Sequence, residues 1–482
     1  MLGSVFRETV KIHVNSTAIV GDDQVLTYGE LAGRQETLTN TLAERFRIGR
    51  GDRVVVSLPN CWQFAALLFS VTDLGAVFIP INPNWRSSEH KWCVDNLRPS
   101  LVVTGGDKTA CWEEIGYPIN RVVTAELITS LSAGDCASPK PTPPSFPDPD
   151  DHALYFLTSG STGFPKVAPR SHRNLVIAVR NMDAALGGIG GRRFLGVVPF
   201  HHAHGFANSL LLPLLTGGSV LVVPSFLPHL LTGELKHFRP HVLMGSPFIY
   251  RILSEKAGAD HGLDGLEICL SSGAAIPCEL VRQWRDRFGV RIRQLYGSSE
   301  TGTISIEMPC APLDRLTAGQ PLPNVEVRID PAFGRDEGCG EILVRSPAAM
   351  SGYLFSSNEG GTFLDGFFRT GDLGRFDDDG NIVIQGRRKR IINLMGLKVD
   401  PVEIENLIRG IPGVTDCLVT PAGEEGGCEI IKALVCVGEG FSLTRGDLIE
   451  CCRSRLAEYK IPRVLEITDS IPEDMLGKRS LY

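Results

Sequence analysis

Apolar and polar positions along the chain follow two periods in turn, one near 3.6 residues and one of short continuous runs. Thr27 to Phe46 carries its apolar residues at helical spacing. It opens with Thr27 and Glu30, whose hydroxyl and carboxylate can each satisfy an orphan amide at a helix start. Arg53 to Leu58 is a strand-length apolar run. Cys61 to Asp73 reads as a helix, Val77 to Ile81 as a strand, Ser88 to Asn96 as a helix and Leu101 to Thr104 as a strand. Strand–helix–strand order of this kind predicts a mostly parallel sheet with helices on both faces.

A second series follows an extended connector, Pro139 to Pro149, which holds six prolines. Its strands are predicted at Phe194–Pro199, Ser219–Pro224, His241–Met244 and Glu267–Ser271, with a helix between Pro277 and Phe288. From Thr317 to Gln385 the pattern becomes short strands with turns, including a hairpin loop at Asp378-Asp379-Gly380-Asn381. A charged break, Gly386-Arg387-Arg388-Lys389-Arg390, precedes a segment with its own strands (Asp416–Thr420, Ile430–Val437) and helices (Pro401–Arg409, Leu443–Leu456). The predicted fold class is α/β. Residues 1–386 form a large domain of layered sheets with flanking helices and a small β subdomain over about 310–386. Residues 387–482 form a separate α+β domain on a hinge.

Composition narrows the function classes. The chain has 482 residues, 43% hydrophobic and 21% charged, with net charge −7. Nothing in that balance suggests a nucleic-acid surface. Thirteen cysteines, without CxxC spacing, fit buried thiols in a reducing, cytoplasmic setting better than a disulfide framework. Met1 to Val10 lacks the apolar core of a secretory signal. The most apolar stretch, Ser209 to Leu227, is interrupted by Pro213, Gly217, Gly218 and Pro224, which argues against a membrane span.

The chemistry centres on Thr158-Ser159-Gly160-Ser161-Thr162-Gly163-Phe164-Pro165-Lys166. Glycines let backbone amides approach a polyanion, hydroxyls add donors, and Lys166 adds a mobile cation. The stretch follows the apolar run Ala153–Leu157, so it leaves a strand end. Four more segments stand downstream: Pro199-Phe200-His201-His202-Ala203-His204-Gly205, Gln294 to Thr301, Arg369 to Asp372 with Gly386-Arg387, and Gly477-Lys478.

These five segments, in this order, resemble the AMP-forming adenylating superfamily of acyl-CoA synthetases, adenylation domains and luciferases. The resemblance covers nearly everything from Leu26 to Lys478. It implies activation of a carboxylic acid by Mg-ATP to acyl-AMP with release of pyrophosphate, then transfer to a thiol. Coenzyme A is the expected acceptor ahead of a carrier-protein phosphopantetheine. It also implies roles. Thr158, Ser159, Gly160, Ser161, Thr162, Gly163 and Lys166 would hold phosphates. Tyr296 would offer an aromatic face to adenine, Gly273, Ala274 and Gly297 would line the cofactor site, and Thr301 would donate to the α-phosphate. Glu300 would bind Mg²⁺, and Asp372 and Arg387 would meet the ribose. His202 would guide the first half-reaction and Lys478 would stabilise its developing charge. The C-terminal domain would rotate about Lys389 so that Gly396 lines the thiol path. Val167 departs from the pattern, which commonly has glycine there.

The acyl pocket is expected at His202, Ser246–Phe248, Ser271–Ala274 and Gly297–Ser298. Phe200–Gly205 holds no acid to pair with an α-ammonium, so a simple aryl or aliphatic acid is expected rather than an amino acid. Three histidines in this segment tempt a metal reading, but no cysteine or carboxylate completes a ligand set. The roles of His201 and His204 stay open. Other readings are an amide-forming relative, a P-loop kinase or ATPase, and an inactive binding relative. No Gly-x-x-x-x-Gly-Lys-Ser/Thr appears in the phosphate segment, which disfavours the kinase.

Overall fold

In the computed structural model, all residues are described except 22–23, 86, 133–146, 159–164, 225–231, 257–260, 312–316, 334–337, 356–360, 388–391, 395–396, 400, 426–427, 439, 457–459 and 472–482. Most of the proline-rich connector therefore lies outside the described residues. The chain packs as two compact units. One comprises 1–326 with 344–368, the other 327–343 with 369–482. This division follows packing and differs from the chain-order boundary expected at 386/387.

The first unit contains two large sheets. One has six strands in the spatial order Val122–Thr124, Leu101–Thr104, Arg53–Ser57, Val77–Pro80, His152–Thr158 and Lys166–Ser171. Its pairs are parallel except the last. Pro169 lies on Lys166–Ser171, the edge strand of this sheet, where a missing N–H is best tolerated. The segment 158–166 thus closes an antiparallel hairpin, with Thr158 opposite Lys166. This differs from the strand-to-helix exit that a P-loop uses.

The other sheet has nine strands. Its parallel centre runs Ile292–Ser298, Ile268–Ser271, Val242–Gly245, Arg193–Gly196, Ser219–Val222 and Thr17–Gly21, with antiparallel strands at both edges. The α/β class is as expected, but the early strand Thr17–Gly21 joins the later series through Ser219–Val222.

The capping box at Thr27 forms as expected and opens the helix Tyr28–Glu44. The helix Trp62–Asp73 is buried on nearly every side. Phe64 meets Phe78 of the six-stranded sheet at 5.1 Å between ring centres and Phe200 at 5.7 Å. Phe206 meets Phe156 edge-on at 5.4 Å. Aromatic rings thereby join the six-stranded sheet to the segment that follows strand Arg193–Gly196.

The second unit holds the hairpin around Asp378–Asn381, with Phe376 opposite Ile382. It also holds a three-stranded sheet of Val414–Glu425, Cys428–Val437 and Val464–Ile467. Helices Pro401–Arg409 and Arg445–Arg455 accompany it, and Ile404, Ile408, Val419, Val435 and Leu448 share one core.

Candidate active site

Thr158 and Lys166, which flank the segment expected to hold phosphates, stand opposite each other on paired strands. The Thr158 hydroxyl donates to the Lys166 carbonyl at 3.5 Å. Ser159, Gly160, Ser161, Thr162 and Gly163 lie outside the described residues. Lys166 is exposed, and its ammonium stands 4.8 Å from the centre of the Tyr353 ring. That distance suits a cation–π contact. The Tyr353 hydroxyl donates to Glu300 Oε1 at 2.6 Å. Backbone bonds reinforce the link: Met350 N–H donates to Glu300 O at 2.8 Å, and Leu354 N–H donates to Val167 O at 3.0 Å. One short stretch of chain therefore touches the hairpin and the Glu300 turn together.

Arg170, on the strand leaving the hairpin, anchors the same turn from within. It is 2% exposed. It donates to Ser299 O at 2.9 Å and to Ala348 O at 2.5 Å. Burial pulls its pKa down to about 10, opposed by the charge of Glu300. The sequence reading passed over both Arg170 and Tyr353. An arginine within an apolar strand was the available signal for the first.

The residues expected on the adenine side include Tyr296 and Gly297 of strand Ile292–Ser298. Tyr296 is buried and pairs with Ser305. A Cβ on Gly297 would lie 2.5 Å from Gly302 O, so backbone approach excludes a side chain there. Thr301 is buried; its N–H donates to Ser298 Oγ at 3.3 Å and its hydroxyl to Gly302 O at 3.0 Å. Gly273 adopts φ +94°, a left-handed value that favours glycine. Gln294 ties this turn to the strand: its amide donates to Ala274 O at 3.1 Å and its carbonyl accepts from Ile276 N–H at 3.2 Å.

The histidine segment is held by Asn60, another residue the sequence reading missed. Asn60 accepts from Phe200 N–H at 2.7 Å and donates to Gly196 O and Val198 O, each at 3.0 Å. Gly205 packs so closely that a Cβ would lie 2.4 Å from Pro199 O. His201 and His202 rings lie 4.3 Å apart. Burial, with His202 alongside, holds His201 down at about 3 and His204 at about 4. The Asn208 side-chain amide lies 3.0 Å from His204 Nδ1. Among the described residues, no group of three His, Cys, Asp or Glu is placed to hold a metal. Glu300 could hold Mg²⁺ with phosphate oxygens and water completing the shell, the mixed coordination this cation commonly takes.

In the second unit, Asp372 and Arg387 face each other on paired strands. Arg387 Nε donates to Asp372 Oδ1 at 2.9 Å. Gly371 turns with φ +74°, and its N–H donates to the buried Glu341 at 3.2 Å. Glu341 also accepts from Arg369 at 2.9 Å, so the Asp372 turn rests on a partly buried ion pair. Gly396, Lys389 and Lys478 lie outside the described residues.

Comparison with known proteins decides the family. The AMP-binding enzyme family matches residues 6–354, and its C-terminal domain matches 403–478. The chain belongs to the AMP-binding enzymes. A feruloyl-CoA synthase of Amycolatopsis is 30% identical across 99% of this chain and 97% of its own. A mitochondrial malonate–CoA ligase of Mus musculus is 29% identical across 94% of this chain and 85% of its own. The ATP-bound crystal structure of MatB from Rhodopseudomonas palustris superposes with a TM-score of 0.87 at 25% identity, covering 99% of this chain and 97% of that one. This AMP-binding enzyme is an AMP-forming acid–CoA ligase, using ATP, Mg²⁺ and coenzyme A. It activates a carboxylic acid to acyl-AMP and transfers the acyl group to coenzyme A. Among the described residues no helix is long and apolar enough to cross a membrane.

Proposed function

We propose that the enzyme activates a simple monocarboxylic acid, aryl or aliphatic, and that the two motif groups of the first unit form its phosphate and metal site. The observation that carries this reading is the contact of Lys166 and Glu300 with one tyrosine, at 4.8 Å and 2.6 Å. A cation for phosphate and a carboxylate for Mg²⁺ belong together in a nucleotide triphosphate site.

Thr158, Ser159, Ser161, Thr162 and Lys166, with the Gly160 and Gly163 amides, hold the β- and γ-phosphates. Tyr296, Gly297, Gly273 and Ala274 receive adenine. Asp372 and Arg387 take the ribose side. Glu300 would hold Mg²⁺, which would supply positive charge to offset the phosphates. The acid's carboxylate oxygen bonds to the α-phosphorus while the bond to the bridging oxygen breaks, releasing pyrophosphate. Thr301 and Lys478 counter the charge that develops there. His202 positions the carboxylate. Rotation about Lys389 then brings Gly396 to the thiol path, and the coenzyme A sulfur displaces AMP from the acyl carbon.

The acyl side lacks counter-charges. Phe200–Gly205, Ser246–Phe248, Ser271–Ala274 and Gly297–Ser298 contain no Asp, Glu, Lys or Arg. His201 and His204 are neutral above about pH 4. An α-ammonium or a second carboxylate there would find no Asp, Glu, Lys or Arg partner in these four segments, and burying such a charge without a partner is costly. Cytoplasmic residence is supported by the cysteines, since all those described are free thiols. The test is a panel of aryl, aliphatic, dicarboxylic and amino acids in a pyrophosphate-release assay, with and without coenzyme A. Release with uncharged-tail monocarboxylic acids is expected. Preference for an amino acid or a diacid would overturn the substrate assignment.

A further inference from the structure

We propose that Tyr353 is a positioning residue that orients Glu300 for the metal and keeps it apart from Lys166. The inference rests on the reading above, in which Glu300 holds Mg²⁺ and Lys166 holds phosphate.

Tyr353 is fixed from both sides along the chain. Upstream, Ala348 O accepts from Arg170 and Met350 N–H donates to Glu300 O. Downstream, Leu354 N–H donates to Val167 O. With the backbone pinned at 348, 350 and 354, the ring has little freedom to leave. Its hydroxyl meets Glu300 Oε1 at 2.6 Å, the length of a strong bond to an ionised carboxylate. A carboxylate held through one oxygen presents the other in a defined direction. Groups that hold a metal ligand in this way commonly set the metal's affinity.

The face of the ring has a second partner. Lys166 Nζ stands 4.8 Å from its centre. A direct Lys166–Glu300 ion pair would cancel the two charges that Mg-ATP needs. Tyr353 meets both charges instead. It attracts the ammonium through its π face and the carboxylate through its hydroxyl, so both charges are kept within one site without neutralising each other. A role in packing alone would need the ring and not the hydroxyl.

Tyr353→Phe separates these roles, because it keeps the ring under Lys166 and removes only the hydroxyl. Affinity for α,β-methylene-ATP, which cannot be cut between its first and second phosphorus, is measured by calorimetry with and without Mg²⁺. Tyr353→Phe is expected to weaken binding about tenfold with Mg²⁺ and to leave Mg²⁺-free binding unchanged. Glu300→Gln should lose the same Mg²⁺-dependent gain, and the double variant should lose no more than Glu300→Gln alone. If Glu300→Gln abolishes the gain and Tyr353→Phe keeps it, the positioning role is overturned while the metal site stands. Equal weakening with and without Mg²⁺ would also overturn it, since that reports loss of structure. If Glu300→Gln keeps the full gain, the metal assignment falls and this inference falls with it.

Discussion

Replacing Arg170 with methionine keeps an unbranched stem and removes the guanidinium that holds the Ser299–Glu300 turn. Two hydrogen bonds from a charged donor, to Ser299 O and Ala348 O, are lost. At about 1.5–3 kcal/mol each, the loss is about 3–6 kcal/mol. Against this stands the relief of a buried charge. The pKa of Arg170 falls from its ordinary 12.5 to about 10, which at about 1.4 kcal/mol per tenfold is a burial cost of about 3 kcal/mol. The net loss of stability is therefore about 0–3 kcal/mol, lowering the melting midpoint of the first unit by at most about 10 °C. Activity should suffer more. A turn released by a fraction of an ångström misplaces Glu300 and Thr301, and pyrophosphate release should fall about a hundredfold. The assay is acid-dependent pyrophosphate release at saturating ATP, run beside a circular-dichroism melt. A variant that turns over like the wild type would refute the anchoring role. A variant that cannot fold would refute the balance of terms.

Gly205→Ala would place a methyl 2.4 Å from Pro199 O and 2.7 Å from Val198 O, costing about 1–3 kcal/mol and shifting the histidine segment. Steady-state kinetics should show a raised KM for the acid with KM for ATP little changed. Asp372→Asn should raise KM for ATP about 10- to 100-fold through weaker ribose bonding. Its melting should change little, because the Arg387 partner is 65% exposed and such a pair contributes about 1 kcal/mol or less. His172, like His201 and His204, is pushed down by burial, and it sits at about 4, with the N-terminal ammonium a smaller cause. All three stay neutral when folded, whereas the unfolded chain protonates them below its ordinary value of 6.5. Their contribution is whole above that value and is lost at about 1.4 kcal/mol per group per pH unit as pH falls toward 4. Melting should drop steadily between pH 6.5 and 4.5, and His172→Gln should make that drop shallower.

Local signals in the chain were enough for much of this architecture. The Thr27–Glu30 box, the run Leu101–Thr104 and the loop Asp378–Asn381 each carry their own geometry, and each forms as expected. The helix Leu2–His13 escaped because its face is built from few residues, Leu2, Phe6 and Thr9, and long-range contact buries them. Gly205–Leu211 forms a π-helical turn inside an apolar run that glycine and proline made look broken. At the site, Glu300 and Asp372 could be nominated from the sequence because each stands in a compact motif. Arg170, Tyr353 and Asn60 were not, because each acts on residues more than forty positions away, Ser299, Glu300 and Gly196. Sequence spacing gives no hint of such partners; only the pairing of sheets and hairpins brings them together.

The most direct test of the account is the nucleotide product formed with a reactive acid before coenzyme A is added. Cleavage between the α- and β-phosphorus predicts pyrophosphate, acid-dependent exchange of labelled pyrophosphate into ATP, and an acyl-AMP mass in the quenched mixture. Accumulation of ADP with inorganic phosphate, and no exchange with any acid, would contradict it.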